Sequence, residues 1–364
     1  MTKFRFALAF FLFSTCFNGI SFSQDADSVK QQKKVKIIPL PAIFYTPETR
    51  LGFGALTSFV FNLGDKTTTR NSNFQVLAAY TLNKQIILQS KHNVFTKDEN
   101  LIFNGELSYY DFPILYYGVG NDTKKEFEEN LEYQVVIFRE RVLKKIKNNL
   151  FAGAQYRYTN LYDLKFEPEF LVDEETRLKS QTGVNSGLGV SVVYDSRDNV
   201  LNAREGAFIE VSNFFHGKGL GSDFIFNRYT IDARKYWAIS DNDVIASQFF
   251  GEFNTSNTPF REMSLLGGET IMRGYYNGRY RDNQQIAIQG EYRRQLLPWL
   301  GVTAFSAFGD VASDISSFEL SDFKWTAGGG LRLMVNKSDR INIRIDYGIG
   351  NNTSGFYFAF AEAF

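Results

Sequence analysis

Charges fall on only one face of segment after segment when this chain is read with a period of two. In 341–349, Ile341, Ile343, Ile345, Tyr347 and Ile349 alternate with Asn342, Arg344, Asp346 and Gly348. In 286–293, Ile286, Ile288 and Tyr292 oppose Gln289, Glu291 and Arg293. In 224–237, Tyr229, Ile231 and Ala233 alternate with Arg228, Asp232 and Arg234. Successive residues of a strand point to opposite faces, so each segment carries one greasy side and one charged side. In a soluble sandwich the greasy side is buried. In a membrane barrel it meets lipid, and the charges line a wet lumen.

The end of the chain favours the barrel. Phe356, Phe358 and Phe360 alternate with Tyr357, Ala359 and Ala361, and the last residue is Phe364. A strand with a row of aromatics and no later segment to cover it suits a lipid-facing wall. Aromatics make up 16% of the residues, with 37 Phe and 19 Tyr, yet mean hydropathy is −0.24. That combination fits a wall greasy outside and wet inside better than a solid core. Forty basic residues balance forty acidic ones, which argues against nucleic acid as a partner.

The N-terminus reads as an export signal over 1–23: Lys3 and Arg5, an apolar run over 6–13, and Ser21-Phe22-Ser23 as the cleavage site. That run is too short to span a bilayer as a helix. The one cysteine, Cys16, lies inside the signal, so the exported chain has no thiol or disulfide; the poor lipoprotein box around it leaves acylation as an alternative. A short polar segment, 24–35, leads into the barrel, expected over 36–364.

The alternation predicts an all-β fold, a sixteen-stranded antiparallel transmembrane β-barrel. Its strands are expected near 36–45, 51–62, 72–82, 85–95, 101–111, 132–144, 149–160, 184–195, 206–216, 223–237, 243–254, 284–297, 300–309, 323–335, 340–349 and 355–364. Segment 132–144 carries Arg139-Glu140-Arg141 and also reads as helix; the first strand is interrupted by Pro39 and Pro41. An even number puts both ends of the barrel on the periplasmic side. The connections then divide into mostly short turns (96–100, 146–148, 240–242, 297–299, 336–339) and a second set containing every long loop (112–131, 161–183, 255–283, 310–322).

The longest loop contains Gly267-Gly268-Glu269-Thr270-Ile271-Met272-Arg273-Gly274-Tyr275. An Arg-Gly-aromatic triplet after paired glycines, in the longest loop of a barrel, resembles the BamA/TamA-like bacterial surface antigen superfamily of outer-membrane barrels. Tyr194-Asp195-Ser196-Arg197-Asp198-Asn199, Gly328-Gly329-Gly330-Leu331-Arg332 and Arg344-Ile345-Asp346-Tyr347-Gly348 look like further family segments. The resemblance covers roughly 36–364. It implies that the loop folds into the lumen with Arg273 held by an acidic wall residue. It also implies that the final strand, with Phe358, Phe360 and Phe364, is the signal read by the outer-membrane assembly machinery. One departure stands out. The family's Phe-x-Asp-x-Gly becomes Phe305-Ser306-Ala307-Phe308-Gly309, so the usual acidic partner is missing. Glu291 is the preferred substitute, with Asp310 and Asp346 as alternatives; a solvated loop in which Arg273 has no wall partner is the blander reading.

The resemblance further implies a Gram-negative outer-membrane location and a translocase or insertase activity on protein or lipid. The stretch between signal and barrel is too short for the family's periplasmic docking domains, so a separate periplasmic or surface partner is expected. The other readings are a passive pore for small solutes and a membrane anchor for a separate soluble enzyme. Little points to catalysis. His92 and His216 are the only histidines, a His-cluster metal site is excluded, and the glycines at 267, 268 and 274 precede no helix pattern. No enzyme activity, cofactor or metal is expected.

Overall fold

The alternating segments form long strands in the computed structural model, which describes residues 35–46, 50–166, 172–255, 257–337 and 340–364. The expected signal and nearly all of the polar segment 24–35 lie outside the described residues. The wall begins with β1 (Val35–Thr46), β2 (Arg50–Phe61), β3 (Ser72–Thr81), β4 (Ile86–Phe95), β5 (Leu101–Tyr116) and β6 (Glu129–Lys147). It continues through β7 (Leu150–Lys165), β8 (Gly183–Asp195), β9 (Gly206–His216), β10 (Phe226–Ala238) and β11 (Asp243–Asn254). The long loop follows, with a small hairpin of β12 (Ser264–Leu266) and β13 (Tyr280–Asp282). The wall resumes with β14 (Gln284–Leu297), β15 (Leu300–Ala312), β16 (Lys324–Asn336), β17 (Ile341–Gly350) and β18 (Thr353–Phe360). These sixteen wall strands make one sheet in which each pairs antiparallel with the next, β11 passing over the hairpin to β14. The fold is a sixteen-stranded antiparallel transmembrane β-barrel.

The two faces are inverted relative to a soluble protein. Outward residues such as Leu107, Val190 and Phe356 are 54, 63 and 69% exposed, whereas the inward Arg344 and Asp346 are 1 and 0% exposed. Apolar groups left on the outside and charges drawn inside make sense only where the outside solvent is hydrocarbon. Every wall strand found by periodicity is present. Segment 132–144 is strand, because its inward Tyr133, Val135 and Ile137 are buried at alternate positions. Pro39 and Pro41 sit within β1 opposite Thr57 and Ala55 of β2. They share one parity, so their missing N–H groups fall together, as expected of an edge strand. Among the described residues no ladder joins β1 to β18.

Three boundaries differ from expectation. First, β5 and β7 run past the expected loop starts at 112 and 161 and β6 begins at Glu129, before the expected 132, because their extensions pair with one another and cover an apolar cluster. That cluster comprises Tyr116, Leu131, Tyr133, Leu161, Leu178 and Phe260. Leu178 comes from a helix that periodicity did not show, α1 (Val172–Lys179), stabilised by Glu174–Arg177 and Glu175–Lys179 pairs. Second, the loop starting at 310 begins later, since β15 continues to Ala312 with Asp310 and Val311 facing wall and loop neighbours.

Third, the last strand stops at Phe360 rather than running to 364. Ala361 takes a φ of +70°, and the chain turns into the lumen. Phe356, Phe358 and Phe360 remain outward, but Phe364 is buried against Ala203, Tyr236 and Ala246. Polar bonds explain the turn. Glu362 accepts from Arg332 Nε at 2.6 Å and Asn342 Nδ2 at 2.8 Å, and Arg293 donates to the Phe364 carbonyl at 3.0 Å.

The turns and loops segregate to opposite ends. Because residues 35–364 contain no cysteine, single cysteines placed in them, with Cys16 changed to Ser, report which end is outside. Ser316→Cys, on a long-loop connection, should react with a membrane-impermeant maleimide in intact cells; Asp241→Cys, in a short turn, should react only after the outer membrane is permeabilised. The reverse pattern would invert the barrel.

Candidate functional site

The loop between β11 and β14 folds inward, and its arginine is the centre of a buried ion network. Arg273 donates to the carboxylates of Glu291 on β14 and Asp346 on β17, the latter at 2.5 Å; all three side chains have no solvent exposure. Its guanidinium lies 3.6 Å from the ring centroid of Phe305 on β15, adding a cation–π contact. Of the three expected partners, two meet Arg273. Asp310 does not: it accepts from Lys324 Nζ at 2.7 Å and Asn121 Nδ2 at 3.1 Å.

The missing family aspartate is explained by what replaces it. Ala307 lies with Leu266, the fully buried Met272, Tyr275 and Val311 in one apolar cluster, so the position belongs to an apolar patch beneath the loop. The charge comes instead from Asp346, across β16. Gly330 of β16 stands opposite Asp346, and a Cβ on it would lie 1.9 Å from Asp346 Oδ1. The Gly328-Gly329-Gly330 run therefore leaves the path open between Asp346 and the loop.

The network extends beyond the loop. Arg293 bonds Glu291 at 2.7 Å; Arg332 bonds Asp346 at 2.6 Å and Glu362 at 2.6 Å; Arg344 bonds Asp346 at 2.9 Å. Arg332 thus ties the loop's partner Asp346 to the inward-turned tail. Buried charges are tolerated only when paired and hydrogen-bonded this densely, and removing one member leaves its neighbours uncompensated.

Backbone contacts complete the fit. Gly268 N–H donates to the Tyr275 carbonyl at 3.0 Å, closing the turn that begins at Gly267. Tyr357 of β18 accepts from Gly274 N–H at 2.8 Å and donates to the Tyr275 carbonyl at 3.0 Å. Gly274 has a φ of +126° and lies against the backbone of Ile349, while a Cβ on Gly348 would stand 2.5 Å from the Arg273 carbonyl. Loop and wall backbones touch there with no side chain between them. Gly348→Val should overpack this contact at a cost of about 1–3 kcal/mol; limited proteolysis of the folded barrel should then cut within 267–275, where the native protein resists.

A second anchor lies earlier in the loop and was not legible from the motif. Glu262 is buried, pairs with Arg228 of β10 at 3.1 Å, and is faced by Arg139, Arg157 and Arg261. Burial raises its pKa, but these four arginines prevail and hold it at about 2. The folded pKa is depressed, so this anchor is fully charged above the ordinary carboxylate range. It weakens only as the pH falls from there towards 2.

The opposite end of the lumen is also bridged. Arg70 bonds Glu99 at 2.8 Å and reaches Asp195 at 2.6 Å, where Arg197 also binds at 2.9 Å. Beneath them Phe95, Ile102, Leu143, Phe151, Val193 and Phe208 form an inward apolar cluster. The Asp195-Ser196-Arg197-Asp198 segment is thus a clasp across the turn end, linking β8 to the connection before β3. His216 stacks on Phe226 at 4.1 Å, and His92 lies beside Glu140 on the outer wall. Among the described residues no group of His, Cys, Asp and Glu could hold a metal ion.

An antiparallel membrane barrel with a long loop locked inside its lumen by a buried arginine defines a narrow class. A model of the Omp85 superfamily domain matches residues 50–364, and the chain belongs to that superfamily. Its fold is similar to BamA from Haemophilus ducreyi lacking POTRA domains 1–3. The two are 12% identical with a TM-score of 0.55, over 92% of this chain and 70% of that one. It is also similar to CdiB from Escherichia coli (10% identity, TM-score 0.60, 92% of this chain and 62% of that one). CdiB from Acinetobacter baumannii is a further neighbour (10%, 0.54, 88% and 57%). The chain thus spans between 57 and 70% of the length of these structures. No curated protein matches it by sequence.

Proposed function

We propose that this protein is an outer-membrane barrel of the translocase or insertase type, handling protein or lipid together with a separate periplasmic or surface partner. In this reading it is exported by residues 1–23, reaches the Gram-negative outer membrane through the assembly machinery, and works without enzymatic turnover. The observation that carries the proposal is the loop lock. Arg273 is held between Glu291 and Asp346 while the same loop touches β18 through Tyr357. A loop fixed to the lumen wall by buried charges favours this reading over an open pore for small solutes. Beside it, the proline-bearing β1 and the Phe-rich β18 share no ladder among the described residues. That is where a polypeptide strand or a lipid would meet the wall.

The test places photo-cross-linking residues at Ile37 and Phe358, which flank this seam, and at Tyr229 on the far wall. Protein or lipid adducts at the first two and not at Tyr229, with little conductance in planar bilayers, support the proposal. Steady conductance of small ions without seam adducts would favour the passive pore.

A further inference from the structure

Two arginines on the lumen wall stand directly opposite each other, and the groups around them do not neutralise both. Arg139 of β6 is in register with Arg157 of β7, and both point inward. Like charges directly opposed across a ladder destabilise it. The carboxylates nearby are engaged elsewhere: Glu210 with Arg141 at 2.5 Å, Asp232 with Arg234 at 2.5 Å, Glu262 with Arg228 at 3.1 Å. Glu252 accepts from Ser264 at 3.1 Å, and Glu106, 3.6 Å from Arg139, accepts from Ser108. Among the described residues Arg157 has neither a hydrogen bond nor an ion pair; its guanidinium carbon lies over Phe214, 4.2 Å from the ring centroid. Buried Nε of Arg139 likewise finds no acceptor. Both line a cavity of about 380 Å³.

We propose that Arg139 and Arg157 form a lumenal binding site for a phosphate-type oxoanion. Each guanidinium presents a planar fork of N–H donors, and two facing forks match a tetrahedral dianion better than a planar carboxylate. Phe214 fixes one fork in position before a ligand arrives. Glu262 shows how the surrounding field works. It is a loop carboxylate held among four arginines, and its ion pair is with Arg228. Free phosphate and the phosphate of a phospholipid headgroup share this chemistry. The site holds independently of what the barrel transports.

Thermal melting of the folded barrel in uncharged detergent tests the site, with inorganic phosphate titrated against chloride at matched ionic strength. Phosphate should raise the melting temperature saturably. Arg157→Gln should weaken the apparent affinity by at least about tenfold, equivalent to ~1.4 kcal/mol. Glu106→Gln, which removes the carboxylate nearest Arg139, should strengthen it, so the site remains testable should Arg157→Gln fold poorly. Short-chain phosphatidylglycerol added in place of phosphate separates the sources: tighter saturation by the lipid assigns the site to a headgroup, tighter saturation by phosphate to the free anion. Stabilisation no greater than with chloride for both probes, or unaltered in Arg157→Gln and Glu106→Gln alike, would overturn the proposal.

Discussion

Replacing Arg273 with alanine should lower the melting temperature of the folded barrel sharply and free the inward loop. The substitution removes the loop's own cation from Glu291 and Asp346, both wholly buried, and leaves Arg332 as the one guanidinium that still touches both. Breaking a buried charge pair typically costs about 3–5 kcal/mol. Arg293, Arg332 and Arg344 remain bonded to the two carboxylates, which places the expected loss towards the lower end. The readout is the heat-modifiable gel band of the folded barrel, together with protease sensitivity within 267–275. Glu291→Ala and Asp346→Ala should reproduce the phenotype, and Arg273→Ala/Glu291→Ala should be no worse than the sum of its parts. Asp310→Ala should leave the loop resistant, because Asp310 serves Lys324 instead. Equal loss from Asp310→Ala would mean that the network is not what holds the loop.

The second large effect concerns the tail. Glu362→Ala deprives Arg332 of one carboxylate and Asn342 of its acceptor, and Phe364→Ala removes a buried ring from beneath Arg293. Deleting a buried phenyl ring typically costs about 3–5 kcal/mol, and loss of the polar anchor adds to it. The expected result is a folded band that melts at lower temperature in each variant. Phe358→Ser should behave differently: it exchanges lipid contact for a polar group, worth about 1.5–3 kcal/mol, and does not disturb the ion network. Because Arg332 touches both Asp346 and Glu362, Glu362→Ala and Arg273→Ala should be non-additive. Strict additivity would separate tail from loop.

Much of this architecture could be read from the sequence because lipid and lumen impose opposite chemistry on alternate residues. Ile341 to Ile349 announced one wall strand by themselves, and the same arithmetic located the other fifteen. Arg273 was legible from Gly-Gly and Arg-Gly-Tyr within the longest loop, and Glu291 from the inward parity of its strand. The rest depended on contacts that no local pattern encodes. Asp346 outranks Asp310 because Gly330 clears a path for it, a fact about three neighbouring strands rather than one. Phe364 reads like the continuation of Phe356, Phe358 and Phe360, yet Ala361 turns and the bonds of Glu362 draw the end inward. The short helix α1 is too brief to show a period, and Leu178 finds its partners on β6 and β7 only after those strands extend. Glu262 and the clasp of Arg70 with Asp195 join residues far apart in sequence, where charge alone does not identify partners.

The measurement that tests the inward lock most directly is a cross-link between loop and wall in living cells. Met272 and Ala307 belong to one buried cluster, and residues 35–364 contain no cysteine, so Cys16→Ser gives a thiol-free background. In the variant Met272→Cys/Ala307→Cys, a short thiol-reactive cross-linker should join the two positions within one folded barrel. Met272→Cys alone should resist a membrane-impermeant maleimide added to intact cells. Ready labelling of Met272→Cys from outside, with no cross-link to Ala307→Cys, would contradict the account and leave the loop outside the lumen.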